Sequence, residues 1–272
     1  MKYSVAIAIE RPYKRCPFLF VGDIYDSAKK AQALGYDAVE LHIKSADMID
    51  REKLLDFCSK TGMKVSSFAT GTSALFNKVC FIDDLKESRD KAVQLVCDFI
   101  TEASYFNAGI IIGDMRGNLP ENGDTKIYYE RLNSSMSKIL EAADKKNVTI
   151  LMETINRYEK NYLNTVEDLM EYNQQFKSPN LKIHLDLYHM NIEEANMYKA
   201  IRLAGDQLAH LHLADNNRLY CGGGALDFKK IIDTVKEVGF KGYYTLECLP
   251  IPDGETAARK SIQYLRGLYP ES

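Results

Sequence analysis

Four side chains able to ligate a metal ion stand near the ends of four successive apolar runs. Glu153 closes "ILMET", Asp186 sits in "HLDLYHM", His212 in "HLHLADNNR" and Glu247 in "TLECLP". A carboxylate at the tip of a buried strand loses water at a cost of several kcal/mol unless something compensates it. Three carboxylates gathered at one point also repel, each pair by about 4 kcal/mol at ~4 Å and an effective dielectric near 20. One acid at a strand end is an ordinary helix cap or ion-pair partner. Four ligating residues on four consecutive runs point instead to one divalent cation. Three oxygen donors and an imidazole suit manganese, magnesium or cobalt, and zinc accepts the same set. A six-coordinate ion held by four side chains keeps two positions, which adjacent oxygens of a sugar would fill.

Such convergence requires the strands to be neighbours. Short β-rich runs alternate with longer stretches of helical period, and the alternation repeats eight times, from "YSVAIAI" and "DIYDSAKKAQALG" to "YYTLECL" and residues 256–268. Eight βα units predict an α/β fold of one domain, a closed (β/α)8 TIM barrel spanning residues 1–272. A doubly wound open sheet is the competing architecture, but it usually carries fewer repeats and often a glycine-rich first turn, which is absent after "VAIAI". Asp23, Asp50, Thr165 and Asp227 fit helix N-caps, and Gly35, Gly62, Gly109 and Gly239 fit C-caps. Barrel enzymes place their chemistry at the C-terminal strand ends, where all four candidates lie.

Composition narrows the partners. Thirty-five basic against 38 acidic side chains give a net charge of −3, which favours neither nucleic acid nor an anionic membrane. The opening "MKYSVAIAIERP" reads as a first strand rather than a signal segment, and no run approaches the ~18 apolar residues of a membrane helix. Six cysteines without CxxC spacing suggest reduced thiols and a cytoplasmic protein.

Several stretches resemble one family. "ETINRYE" is similar to "EPLNRFE", "DLYHMNIEE" to "DTFHMNIEE", and "HLHLADNNR" with "GGGALDF" to "HxHxxDxNR…GxGxxDF" of the xylose-isomerase-like sugar isomerases and epimerases, ketose 3-epimerase branch. The ligand spacings, 33 residues from 153 to 186, 26 from 186 to 212 and 35 from 212 to 247, are those of that branch. Within it the chain looks most like the 5-keto-L-gluconate epimerase and D-tagatose/D-psicose 3-epimerase groups. The resemblance implies an isomerase that inverts C3 of a ketose or keto-sugar acid through an enediolate. Glu153 and Glu247 would be both metal ligands and the two proton-transfer groups, with Asp186 and His212 completing a site for one ion, manganese first. Glu159, His189 and Arg218 would bind the first three substrate oxygens. A homodimer or homotetramer is plausible by the same resemblance. The alternative is an aldose–ketose or hydroxypyruvate-type isomerase, acting on a free or phosphorylated sugar with the same metal site. A multi-zinc abasic-site endonuclease needs more histidine than the five present, and an inactive sugar-binding barrel would not need both glutamates.

Other residues carry looser expectations. The chain has no tryptophan to wall the far end of a sugar. Arg116 of "GDMRGN", with Arg11, Lys14 and Arg15, points to an acidic or phosphorylated ketose, which a guanidinium binds bidentately. His184 and His210 share the ligands' face one layer deeper. His42 is placed to pair with Glu40, Arg157 to orient Glu159 or its loop, and Asp215 and Asn216 to shape the loop after strand seven. The "CGGG" at 221–224 fits a tight turn or a backbone nest for an anion.

Overall fold

The computed structural model describes residues 1–270; the last two residues of the expected 1–272 domain, Glu271 and Ser272, lie outside the described residues. Eight parallel strands form the barrel: β1 Tyr3–Ala8, β2 Ala38–His42, β3 Lys64–Ala69, β4 Gly109–Ile112, β5 Ile150–Glu153, β6 Leu181–Asp186, β7 Leu208–Leu213 and β8 Tyr243–Leu246. Each pairs with the next, and Tyr3, Ser4 and Val5 of β1 pair with Tyr244, Thr245 and Leu246 of β8 to close the ring. The helices that follow them are α1 Ile24–Leu34, α2 Arg51–Thr61, α3 Lys86–Phe106, α4 Thr125–Lys146, α5 Val166–Asn173, α6 Met197–Ala204, α7 Phe228–Glu237 and α8 Gly254–Gly267. Two short helices, Gly71–Asn77 and Leu187–Glu193, sit in the loops after β3 and β6.

Most of the expected caps are present. Asp23, Asp50 and Asp227 accept backbone N–H groups of their helices, and Thr165 forms a reciprocal capping box with Asp168. Gly109 is the exception: it begins β4, and Asn107 takes the left-handed position that ends α3. Asn reaches that conformation because its short polar side chain tolerates positive φ.

Period-two alternation sorts most strand residues into two faces, interrupted where the register shifts. Val39 and Leu41, Ile110 and Ile112, Ile150 and Met152, Ile183 and Leu185, and Leu211 and Leu213 join the large core beneath the helices. The interior is unlike the aliphatic filling usual for such barrels. Ser4, Glu40, Ser66, Ser67, His184, His210 and Thr245 are all buried there, beside small apolar groups formed by Ala69, Ile111 and Leu151 and by Ala6, Ala8, Cys16 and Phe18.

Two register shifts set which polar groups meet. Between β2 and β3 the register slips after Val39, so Glu40 opposes Ser67. Between β6 and β7 it slips after Ile183, so His184 opposes His210 and Asp186 opposes His212. A one-residue offset decides which face a side chain takes, so the second shift lets His212 share a face with Asp186. Among the described residues, no helix is long and apolar enough to cross a membrane.

Candidate metal centre

Each expected ligand reaches the barrel mouth by a different local device. Glu153 ends β5, and its carboxylate passes over Gly113, where a Cβ would stand 2.3 Å from Glu153 Oε2. Glycine there is what makes room for the acid. Asp186 ends β6 and caps the following helix with Oδ1, which accepts Tyr188 N–H at 2.7 Å. Its Oδ2 is thereby left facing the mouth. Glu247 follows β8 and is held by its N–H on Leu213 O at 3.3 Å.

His212 lies at the centre. Nε2 is 2.8 Å from Glu40 Oε1. Burial opposes ionisation of Glu40, but the charge of His212 and hydrogen bonds from His210, His212 and His42 hold it well below the usual carboxylate range. An ionised carboxylate only accepts, so Nε2 carries the donated proton and Nδ1 is turned to the mouth. Nδ1 is buried without a hydrogen-bond partner. Around it stand Glu247 Oε2 at 3.5 Å, Asp186 Oδ2 at 3.8 Å and Glu153 Oε1 at 4.0 Å. Donors held roughly 2.1 Å from a common centre stand about 3.0–4.2 Å apart, and the three distances from Nδ1 fall in that range. Glu153, Asp186 and His212 lie close enough together to hold one divalent cation, whereas Glu247 groups more tightly with Glu40 and His42 and meets that trio through His212 Nδ1.

Glu40 is the residue that motif reading understated. It accepts from His42 Nε2 at 2.8 Å, His210 Nε2 at 2.9 Å and Ser67 Oγ at 2.6 Å as well as from His212. The expected His42–Glu40 pair is therefore one arm of a larger hub, and His210 lies in the deeper layer as expected. Burial pulls the pKa of His210 down to about 4 and that of His184 to about 3, so both rings are neutral. His184 turns Nε2 toward Glu153 Oε1, 3.5 Å away, and packs edge-on against His212, ring centroids 4.1 Å apart.

The substrate-side candidates converge on the same cavity, lined by Glu153, Glu159, His189, His212, Arg218 and Glu247 among others. Asn156 was not singled out by the sequence, yet its Nδ2 donates to Glu159 Oε1 at 3.0 Å and lies 2.6 Å from His189 Nδ1. That contact makes Nδ1 of His189 the acceptor and leaves Nε2–H toward Asp186, 3.8 Å away. Arg157 pairs with Glu193 rather than Glu159, tying the loop after β5 to the loop after β6.

Arg218 spans two of the acids, with Nη1 3.2 Å from Asp186 Oδ2 and Nη2 2.5 Å from Glu247 Oε2, and stacks on Tyr188 at 4.5 Å. Asp215 holds its loop, accepting the N–H groups of Asn216, Gly222, Gly224 and Leu226. The "CGGG" backbone thus wraps Asp215 of the same loop.

Arg116 departs from expectation. Its side chain is fully buried, donates to Leu163 O at 3.2 Å and lies over the Tyr162 ring, and it does not line the cavity. The 3-10 turn Asp114–Arg116 explains this, because residues two apart in so tight a turn point in different directions. Asp114 faces the cavity in its place.

The two glutamates have opposite electrostatics. Burial raises Glu153 to about 8, against the pull of His212 and His189. Burial would raise Glu247 too, but the charges of His212 and Arg218 outweigh it and hold it below the ordinary value.

Relatives agree with this architecture. A family model described as xylose isomerase-like TIM barrel matches residues 28–268. A D-psicose 3-epimerase from Enterocloster bolteae is 28% identical over 251 residues, 89% of this chain and 81% of that protein. A 3-dehydro-D-guloside 4-epimerase from Escherichia coli is 26% identical over 260 residues, 91% of this chain and 95% of that protein. Among solved structures, a D-allulose 3-epimerase from Methylomonas sp. in complex with D-allulose shares the fold, with a TM-score of 0.82, 20% identity and coverage of 99% of this chain and 97% of that one.

Two outcomes are expected of the metal centre. Glu40→Gln weakens manganese binding about 10–100-fold, because the imidazole of His212 loses its orienting charge; calorimetric titration beside circular dichroism separates this from unfolding. Between pH 6 and 8 a cation must displace the proton that His212, raised well above its ordinary value, carries at Nδ1. Affinity therefore rises with pH through this window, with protons released on binding, seen as heats that depend on the buffer's ionisation enthalpy.

Proposed function

Because the chain belongs to the xylose isomerase-like TIM barrel family, we propose that it is a divalent-metal-dependent sugar epimerase that inverts C3 of a small open-chain ketose. The observation that carries this reading is the pair of carboxyl groups, Glu153 and Glu247, both within 4.0 Å of His212 Nδ1 at one cavity yet pushed to opposite protonation states. Groups whose environments separate their pKa values divide naturally into acid and base. Relatives named as ketose and glycoside epimerases support the reaction class.

A divalent cation bound by Glu153, Asp186, His212 and Glu247, manganese by preference, supplies electrophilic stabilisation to the substrate's carbonyl and neighbouring hydroxyl oxygens. The chain's own groups do the rest. Ionised Glu247 removes the C3 proton from one face, and protonated Glu153 returns a proton from the other, which inverts the centre. In the reverse direction the two exchange roles. Arg218, fixed against Glu247 and Asp186, offers positive charge to the enediolate as it develops. His189 points Nε2–H toward the same space and polarises the carbonyl end, while Glu159, held by Asn156, accepts a substrate hydroxyl.

The test is proton exchange at C3 in deuterium oxide with the manganese-loaded protein and a panel of ketoses. Glu153→Gln and Glu247→Gln each lower exchange by roughly 10²–10⁴-fold, the range general acid–base groups supply, and treatment with a chelator abolishes it until manganese is restored. Full exchange in either variant overturns the two-glutamate mechanism, and aldose as the main product overturns the epimerase in favour of an aldose–ketose isomerase.

A further inference from the structure

The cavity has two unlike walls. The loops after β5, β6 and β7 bring Glu159, His189 and Arg218 to the metal side. The facing wall comes from the loops after β1, β3 and β4, with Tyr13, Phe18, Thr72, Leu75 and Asp114. Among the described residues lining this wall, Asp114 is the one carboxylate, and no lysine or arginine lines the inner cavity on that side.

Asp114 is held in place from behind. Its Oδ1 accepts from Lys160 Nζ at 2.9 Å, and the Lys160 side chain is nine-tenths buried and does not line the cavity. Its Oδ2 lies close over Gly71, 3.2 Å from where a Cβ on that residue would stand. Next to Gly71, Thr72 lines the cavity, is 2% exposed, and its Oγ1 has no hydrogen-bond partner. A buried hydroxyl without a partner beside an oriented carboxylate is a pair of unmet hydrogen-bonding groups, and one ligand hydroxyl can satisfy both, donating to the acid and accepting from the threonine.

We propose that Asp114 and Thr72 form a hydroxyl-reading subsite for the part of the ketose beyond C3. The site then selects uncharged polyhydroxy ketoses and rejects those whose far end is a carboxylate or phosphate. The proposal rests on the ketose reading above. A terminal anion would face Asp114, with Lys160 already paired behind it and Arg116 buried away from the cavity. Arg15 is the one further cation near the path, and it lines the outer vestibule with Tyr188 and Asn217.

Binding calorimetry on the manganese-loaded protein tests this with three probes: a neutral ketohexose, a ketotetrose that keeps the first three oxygens but lacks the far end, and a hexulosonate. The wild-type protein binds the ketohexose at least tenfold more tightly than the hexulosonate. In Asp114→Asn the ratio of ketohexose to ketotetrose affinity falls by roughly ten- to a hundredfold, the loss expected for a hydrogen bond to a charged group, and the discrimination against the acid shrinks. Thr72→Val lowers the same ratio by a smaller factor. An unchanged ratio in Asp114→Asn overturns the subsite, as does tightest binding of the hexulosonate with that preference lost in Arg15→Ala. C3 proton exchange on the ketotetrose reports separately on the epimerase reading. Exchange with an unchanged ratio removes the subsite alone, whereas no exchange and no binding of any ketose removes both.

Discussion

The structure depends on one carboxylate sealed inside the barrel. Glu40 has no exposed surface, and a lone charge there would be strongly destabilising. Three imidazoles and a serine hydroxyl converge on its two oxygens, from β2 itself, from β7 across the barrel and from β3 alongside. The effect reaches well beyond Glu40. By accepting the Nε2–H of His212, Glu40 turns Nδ1 toward the three acids above. By holding His42, it fixes a ring that packs 4.4 Å from Phe18 at the edge of the cavity. By holding His210, it brings that imidazole within 3.0 Å of Thr245 on β8. The candidate metal centre is thus built on a polar layer rather than on the aliphatic filling of an ordinary barrel.

Above that layer the charges are balanced by position. Glu153, Asp186 and Glu247 all stand within 4.0 Å of His212 Nδ1, and Arg218 leans on two of them. Arg218 has a backbone φ of 61°, a region that costs a non-glycine residue of order 1–3 kcal/mol. The loop sustains that conformation: Arg218 N–H bonds Asp215 O at 2.8 Å, Leu249 N–H bonds Arg218 O at 2.8 Å, and four backbone amides close on the Asp215 carboxylate. Gly224 must stay bare for this, since a Cβ would meet Asp215 Oδ1 at 2.4 Å. A rigid loop presenting one guanidinium is what electrostatic preorganisation requires, because no further ordering is then needed when charge develops on a substrate.

What was legible in the sequence followed from local period and position. Eight βα repeats predicted the barrel, and acids or imidazoles at the ends of β5 to β8 marked a converging set without any contact being known. The hub was not legible. Glu40 sits in "AVELH" as an ordinary alternating residue, and its partners His210 and His212 lie 170 and 172 residues away. Nor do the two register shifts leave a mark in composition, although they decide that Asp186 opposes His212 and Glu40 opposes Ser67. Arg116 shows a third limit. "GDMRGN" offers an acid and a base two residues apart, and only the tight turn at Asp114–Arg116 decides that the acid faces the cavity and the base is buried. Local pattern reports which residues can act, while direction is set by contacts between distant strands.

A polar interior has a stability cost that an aliphatic one avoids, since each buried polar group needs a partner. The arrangement makes sense if the metal centre needs one tautomer of one imidazole. Packed only by leucine and valine, His212 would be free to present either nitrogen, and one of those choices would turn a protonated nitrogen toward the cation. A fixed anion beneath the ring removes that choice before any ligand arrives. The same anion also raises the proton affinity of His212, so the cation must compete with a proton for Nδ1. Orientation and competition therefore come from one source, and strengthening the first by moving Glu40 closer would strengthen the second as well.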